Sequence, residues 1–138
     1  MKMVRIKKRI AAMMMVSALS VWFALSNVAY AQTLTIEGRN IYTSLTVSSS
    51  SATVTISYTE GPGQVWASVT GEAINKLIPT MGTSVQGGRN SNPTPGGVSS
   101  SVDAPNGWKF TGASSWCDYQ LDINGTIYKN GIYDHKNV

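Results

Sequence analysis

The stretch Ser114 to Gly131, SSWCDYQLDINGTIYKNG, gathers the chain's single cysteine, a tryptophan, two aspartates and an Asn-Gly-Thr sequon. Those residue types could supply a thiol nucleophile, paired carboxylates, a calcium loop or a glycosylated asparagine. A thiol nucleophile needs a basic partner and a lowered pKa. The only histidine, His135, lies close to the C-terminus, where chains fray, so a Cys117–His135 dyad is not expected. Asp118 and Asp122 stand four residues apart on an extended strand, about 13 Å at about 3.3 Å per residue. Paired carboxylates of glycoside hydrolysis stand about 5 to 9.5 Å apart. Asp122-x-Asn124-Gly125 looks like a fragment of a calcium loop, but Gln120 would fill the first ligand position and Gly131 the twelfth, where a bidentate acid belongs. The sequon at Asn124 matters only in a host that glycosylates exported proteins. No zinc cluster, phosphate loop or serine triad is legible, so neither an enzyme nor a cofactor is expected, and no metal site.

The same stretch reads as a hairpin. Asn-Gly supplies the two positive φ angles of a type I′ turn at low cost. A two-residue turn at Asn124–Gly125 pairs Ile123 with Thr126, Leu121 with Tyr128 and Cys117 with Ile132. By period 2, Cys117, Tyr119, Leu121 and Ile123 form an apolar row, while Trp116, Asp118, Gln120 and Asp122 face the other way, opposite Lys129 and Ile127. Cys117 is thus expected to be a buried free thiol. Trp116, Trp66 on the polar face of an earlier strand, and the region of Trp108 could together form an exposed aromatic strip, suited to sugar stacking or a protein partner. The reading preferred over that strip is that both faces of the sheet are covered and the tryptophans fill a core. With Arg89 and Asn92 from a polar loop, Trp66, Trp108 and Trp116 are the candidate binding residues.

Most of the remaining chain carries strand signals. Leu34 and Ile36 alternate in Thr33–Glu37, and Ile41, Thr43, Leu45 and Val47 in the next segment, with a joint at Gly38-Arg39-Asn40. ATVTISY places Ala52, Val54, Ile56 and Tyr58 on one face. Glu60-Gly61-Pro62-Gly63 predicts a turn. Val65, Ala67 and Val69 then point inward, with strand to about Ile74 and a turn at Asn75-Lys76, followed by a strand within Thr80–Gln86. Gly87 to Gly97 has no apolar residue except its prolines and predicts a surface loop. Val98–Val102 and Trp108–Thr111 flank a turn at Pro105-Asn106-Gly107. Six to eight short strands without helical periodicity predict an all-β fold, a small antiparallel β-sandwich (Ig-like) or a partly open barrel.

The N-terminal 31 residues have the pattern of a cleavable signal peptide. Lys2, Arg5, Lys7, Lys8 and Arg9 precede the apolar run Ile10–Leu25, and Ala29-Tyr30-Ala31 forms a small-x-small cleavage site. The run is shorter than the roughly 20 residues a spanning helix needs. Five of the chain's eleven bases lie in this leader, leaving six against seven acids, a net charge of about minus one for residues 32–138. That balance removes the main support for a nucleic-acid or anionic-membrane partner, since such partners are held largely by clustered Lys and Arg, and neither nucleic-acid binding nor stable membrane insertion of the mature chain is expected. The mature length suits one domain, ending in a short flexible tail. A lone cysteine in an exported chain leaves either a free thiol or a disulfide-linked dimer through Cys117, of which the free thiol is expected.

SLTVSSSSATVTISY, a Gly- and Asn-rich middle, VSSSVDAPNGWKF and a final strand turning at Asn-Gly together resemble the small exported Ser/Thr-rich β proteins of Gram-positive bacteria. The similarity is one of composition and spacing over Ile41 to Tyr128. It implies export and one sandwich-like domain, and carries over no functional residue. The expected function is a secreted, non-enzymatic binding module for a protein or cell-surface polysaccharide, extracellular or wall-associated. The alternatives are a secreted antagonist, bacteriocin-like or toxic, and a hydrolase or protease inhibitor presenting the loop around Asn92 to Pro95.

Overall fold

The computed structural model describes residues 28–138, with side chains from Ala31 onward. Seven strands follow one another: β1 (Val28–Ile36), β2 (Arg39–Val47), β3 (Ser51–Asn75), β4 (Gly82–Gln86), β5 (Asn90–Asp103), β6 (Trp108–Ile123) and β7 (Thr126–Asn137). All pairings are antiparallel. The sheet runs β1-β2-β3-β6-β7, with β4 and β5 also pairing with β3, and it curls into a half-barrel. Residues 1–27 of the expected leader lie outside the described residues.

β3 organises everything else. Along one edge its first part pairs with β2, from Ala52↔Val47 to Tyr58↔Ile41, and its second part with β6, from Gly63↔Leu121 to Asn75↔Trp108. Along the other edge it pairs with β5 and then β4. Glu60-Gly61-Pro62-Gly63 does not end the strand as a hairpin turn would. It forms an irregular excursion between the pairs Tyr58↔Gly96 and Gly63↔Thr94, after which pairing resumes. The excursion is braced from the β1–β2 turn: Arg39 Nη1 donates to the Glu60 carbonyl at 2.6 Å, and Asn40 N–H to Glu60 Oε2 at 2.6 Å.

A sharp corner in β5 matches it. Nine residues of straight strand span about 30 Å, yet Asn90 Nδ2 donates to the Ser99 carbonyl at 2.8 Å, and Asn92 Nδ2 to the Gly97 carbonyl at 3.0 Å. β5 therefore doubles back near Pro95 and Gly96, and both asparagines bridge its arms. This corrects the surface loop expected for Gly87 to Gly97. Only Gly87–Arg89 is connecting chain, and from Asn90 the backbone is paired with β3. Polar side chains there satisfy carbonyls across the corner, so the strand carries no apolar alternation to read.

The inner face holds Ile36, Ile41, Leu45, Val54, Ile56, Val65, Val69, Phe110, Leu121 and their neighbours. At the open side β1 approaches β7, where Gln32 Nε2 donates to Asp134 Oδ2 at 3.1 Å. The expected frayed tail is also corrected: β7 stays paired to Asn137↔Gly112, so His135 sits in a strand opposite Ser114. Asn124 and Gly125 have φ of 54° and 81°, and the Cys117↔Ile132 and Leu121↔Tyr128 registers follow.

The Phe110 ring lies on Gly71, where a Cβ would fall inside ring contact distance. Phe110 is itself buried in the core. Gly71→Ala is expected to destabilise the protein by about 1–3 kcal/mol through overpacking, read as a shift of the urea midpoint. An unchanged midpoint would show that the ring is not confined there.

Candidate functional site

Period 2 and the registers of β3, β5, β6 and β7 build an outward-facing patch row by row. Ser91, Trp66, Asp118 and Gly131 lie directly across four strands. The next row is Ser68, Trp116 and Tyr133, and on the other side lie Gln64, Gln120 and Lys129. Arg89, just before β5, reaches over this surface. Its guanidinium carbon sits 5.5 Å from the centroid of the Trp66 ring, and its Nη2 is 2.7 Å from Asp118 Oδ2.

Asp118 holds two partners at once. Its Oδ2 takes Arg89, and its Oδ1 accepts the indole N–H of Trp116 at 2.8 Å. The Trp116 indole lies over Gly131, where a Cβ would come within 2.7 Å of Cζ2. Tyr133 packs beside it, with ring centroids 6.0 Å apart and planes tilted by 54°. Trp116 and Tyr133 are 49% and 53% exposed, so this is solvent-facing aromatic surface and not a second core. Beside it runs an open groove of about 340 Å³, lined by Trp66, Asp118, Tyr119, Gln120, Lys129, Asn130 and Gly131.

Of the five residues expected at a binding site, Trp66, Trp116 and Arg89 meet here. Asn92 does not. It stands opposite Val65, on the row that faces the core, and its amide is committed to Gly97. Trp108 does not either. β6 contains an extra residue at Thr111, between the pairs Glu72↔Gly112 and Ala73↔Phe110. One extra residue reverses the side-chain alternation, so Trp108 and Phe110 point to the core side, where Trp108 packs against the hydrophobic cluster. Gly112, a glycine inside a strand pattern, was the available signal for that bulge. Sequence reasoning did not find Tyr133, Lys129, Asn130 and Gly131 as site residues. They become visible once the hairpin register is laid across Trp116 and Asp118.

Cys117 is buried on the inner face, and His135 faces outward, 3.1 Å from Glu72 Oε1. Burial above all, then the Asp118 and Asp134 carboxylates, pushes the thiol up to about 12. A thiol so held is a poor nucleophile. Asp122 Oδ1 accepts the Gly125 N–H at 2.9 Å, which commits it to the turn. Among the described residues, no three His, Cys, Asp or Glu side chains come together as metal ligands. The chain matches no protein-family model, no curated protein and no solved structure.

Two outcomes follow. Gly131→Ala is expected to unseat the Trp116 indole and break its bond to Asp118, while the exposed ring moves aside and the fold survives. The near-UV dichroism should change with the melting temperature nearly constant, and an unaltered spectrum would refute the stacking. For Cys117, the folded pKa is raised above the unfolded one, so the stability it contributes is complete below about pH 9 and is lost as pH rises toward 12. The thiol should resist an aromatic disulfide reagent at neutral pH until denaturant is added, and Cys117→Ala should flatten part of the alkaline loss of stability. Rapid labelling of the native protein would contradict the burial.

Proposed function

We propose that the protein is a non-enzymatic binding module whose outward aromatic patch and adjoining groove receive a cell-surface glycan. The observation that carries this is the composition of the groove: an indole, Trp66, bordered by Asp118, Gln120, Lys129 and Asn130, with Trp116 and Tyr133 exposed alongside. Sugars offer apolar C–H faces and fans of hydroxyls. Aromatic rings supply the complement of the first, and planar carboxylate and amide groups accept and donate to the second. The volume lies within the range of small-ligand sites, about 300–1,000 Å³. The Arg89–Asp118 pair holds the Trp66 side of the patch in place, since a side chain locked by its neighbours presents a preorganised surface.

The reading includes export. Residues 1–31 serve as a cleavable leader, and the mature chain begins at Gln32, outside the cell or on its wall. Cleavage after Ala31 retains the β1 pairs from Gln32↔Thr43 to Ile36↔Arg39, including the Gln32 side chain that reaches Asp134. We also read the two arms of β3, with the strands each arm carries, as the two layers of an Ig-like sandwich. The composition of the chain supports a Gram-positive exported origin. A secreted antagonist, or an inhibitor, has less behind it: Asn92, Pro93 and Thr94 are paired along β3 and only Pro95 lies unpaired at the corner, so the free loop that motivated the inhibitor is reduced to a strand corner.

The test is titration of the protein with a panel of cell-wall and capsular polysaccharides, followed by intrinsic tryptophan fluorescence. Saturable binding with a spectral change is expected. Trp116→Ala should weaken it at least about five-fold, the loss typical of a truncated aromatic anchor, and Gln120→Ala should weaken it less. Full affinity in both variants, or no ligand across the panel, would refute the assignment.

A further inference from the structure

The far end of β3 carries a second surface. Between β3 and β4 the chain projects Leu77, Ile78 and Met81, which are 90%, 51% and 48% exposed. They are not exposed because the loop is loose. Asn75 Oδ1 accepts the N–H groups of both Leu77 and Ile78, at 2.9 and 3.0 Å, Met81 N–H donates to the Ile78 carbonyl at 2.9 Å, and Asn75 N–H donates to the Met81 carbonyl at 3.0 Å. Lys76 N–H donates to the Gly107 carbonyl at 2.9 Å, tying the loop to the β5–β6 turn. At its base, Lys76, Trp108 and Lys109 border one depression together with Ser49, Ser50 and Pro105. Asp103, at the end of β5, is the acid that adjoins this turn, so the two lysines exceed it.

We infer that this tip docks on an anionic lipid bilayer. Three exposed apolar side chains stand on a hydrogen-bonded tip, which suits a deformable hydrocarbon boundary better than a shaped protein partner. Lys76 and Lys109 border the depression at the base of the tip, where their charges would meet lipid phosphates. Attraction of basic residues to anionic headgroups, added to shallow burial of apolar side chains, is the physics of interfacial attachment. The contact is reversible and peripheral, and no strand enters the membrane.

The experiment places a polarity-sensitive fluorophore on Leu77→Cys in the full chain, with Asn124→Cys at the opposite hairpin as the comparison. The buried Cys117 thiol stays unlabelled. On titration with phosphatidylcholine vesicles containing phosphatidylglycerol, the label at position 77 should brighten and shift to the blue while the label at position 124 stays as in water. Any contribution of the N-terminal residues to vesicle binding is common to both proteins. Lys76→Ala and Lys109→Ala should each raise the lipid concentration at the midpoint about five-fold. The inference is overturned by a label at 77 that remains in water with these vesicles. It is equally overturned by a response as strong with phosphatidylcholine alone, or by one that appears on concentrating the protein without lipid, which would make the tip a contact between copies.

Discussion

β3 is shared by every other part of the described sheet except β1 and β7, and its corner decides which side chains are inside. Between Tyr58 and Gly63 it advances five residues while β5, from Gly96 to Thr94, advances two. The surplus is three, an odd number. Because strand side chains alternate with period 2, an odd surplus reverses the alternation. Ala52, Val54, Ile56 and Tyr58 are buried at even positions before the corner, and Val65, Ala67, Val69 and Ala73 at odd positions after it. An even surplus would turn Trp66 and Ser68 into the core and push Val65 and Ala67 into solvent.

The patch is a consequence of that reversal. Trp66 faces outward only because the corner sets its parity, and the β6 and β7 registers then deliver Asp118 and Gly131 to the same row. The same rule works against catalysis at Cys117. The thiol points inward and His135 outward, so no movement of side chains alone brings them together. Arg89 and Lys129 bring positive charge to the patch, but Asp118 takes up the guanidinium at 2.7 Å. A ligand of the kind proposed would be held there by short-range stacking and hydrogen bonding, which salt screens weakly.

What was legible in the sequence follows from how local its determinants are. The Asn124–Gly125 turn needs only its own two residues, and from it the pairing of Cys117, Leu121 and Ile123 follows by counting. Counting failed where a residue was inserted. From Trp116, steps of two reach Trp108 on the outer face, and the single extra residue at Thr111 moves it to the inner one. The Glu60–Gly63 signals were those of a corner, but whether the chain turns back on itself or keeps its partners depends on β5, over thirty residues away. Asn90 and Asn92 look like loop residues because their role is to satisfy carbonyls across the second corner. That is a tertiary fact with no local trace.

The length of the β3 arm also relates the two surfaces to one another. Trp66 and Asn75 lie nine residues apart on it, about 30 Å at strand spacing. A tip seated on a bilayer therefore leaves the groove well clear of the headgroups when the arm stands upright, within reach of polymers that extend from a cell surface. If both proposals hold, a lipid contact and a saccharide contact on one strand would act with an effective concentration that neither has alone. The bonded loop at Asn75 and the pairing of β3 with β6 on both sides of the Thr111 bulge would supply the stiffness that such coupling needs, because a flexible joint between the sites would spread the groove over many positions and dilute the gain.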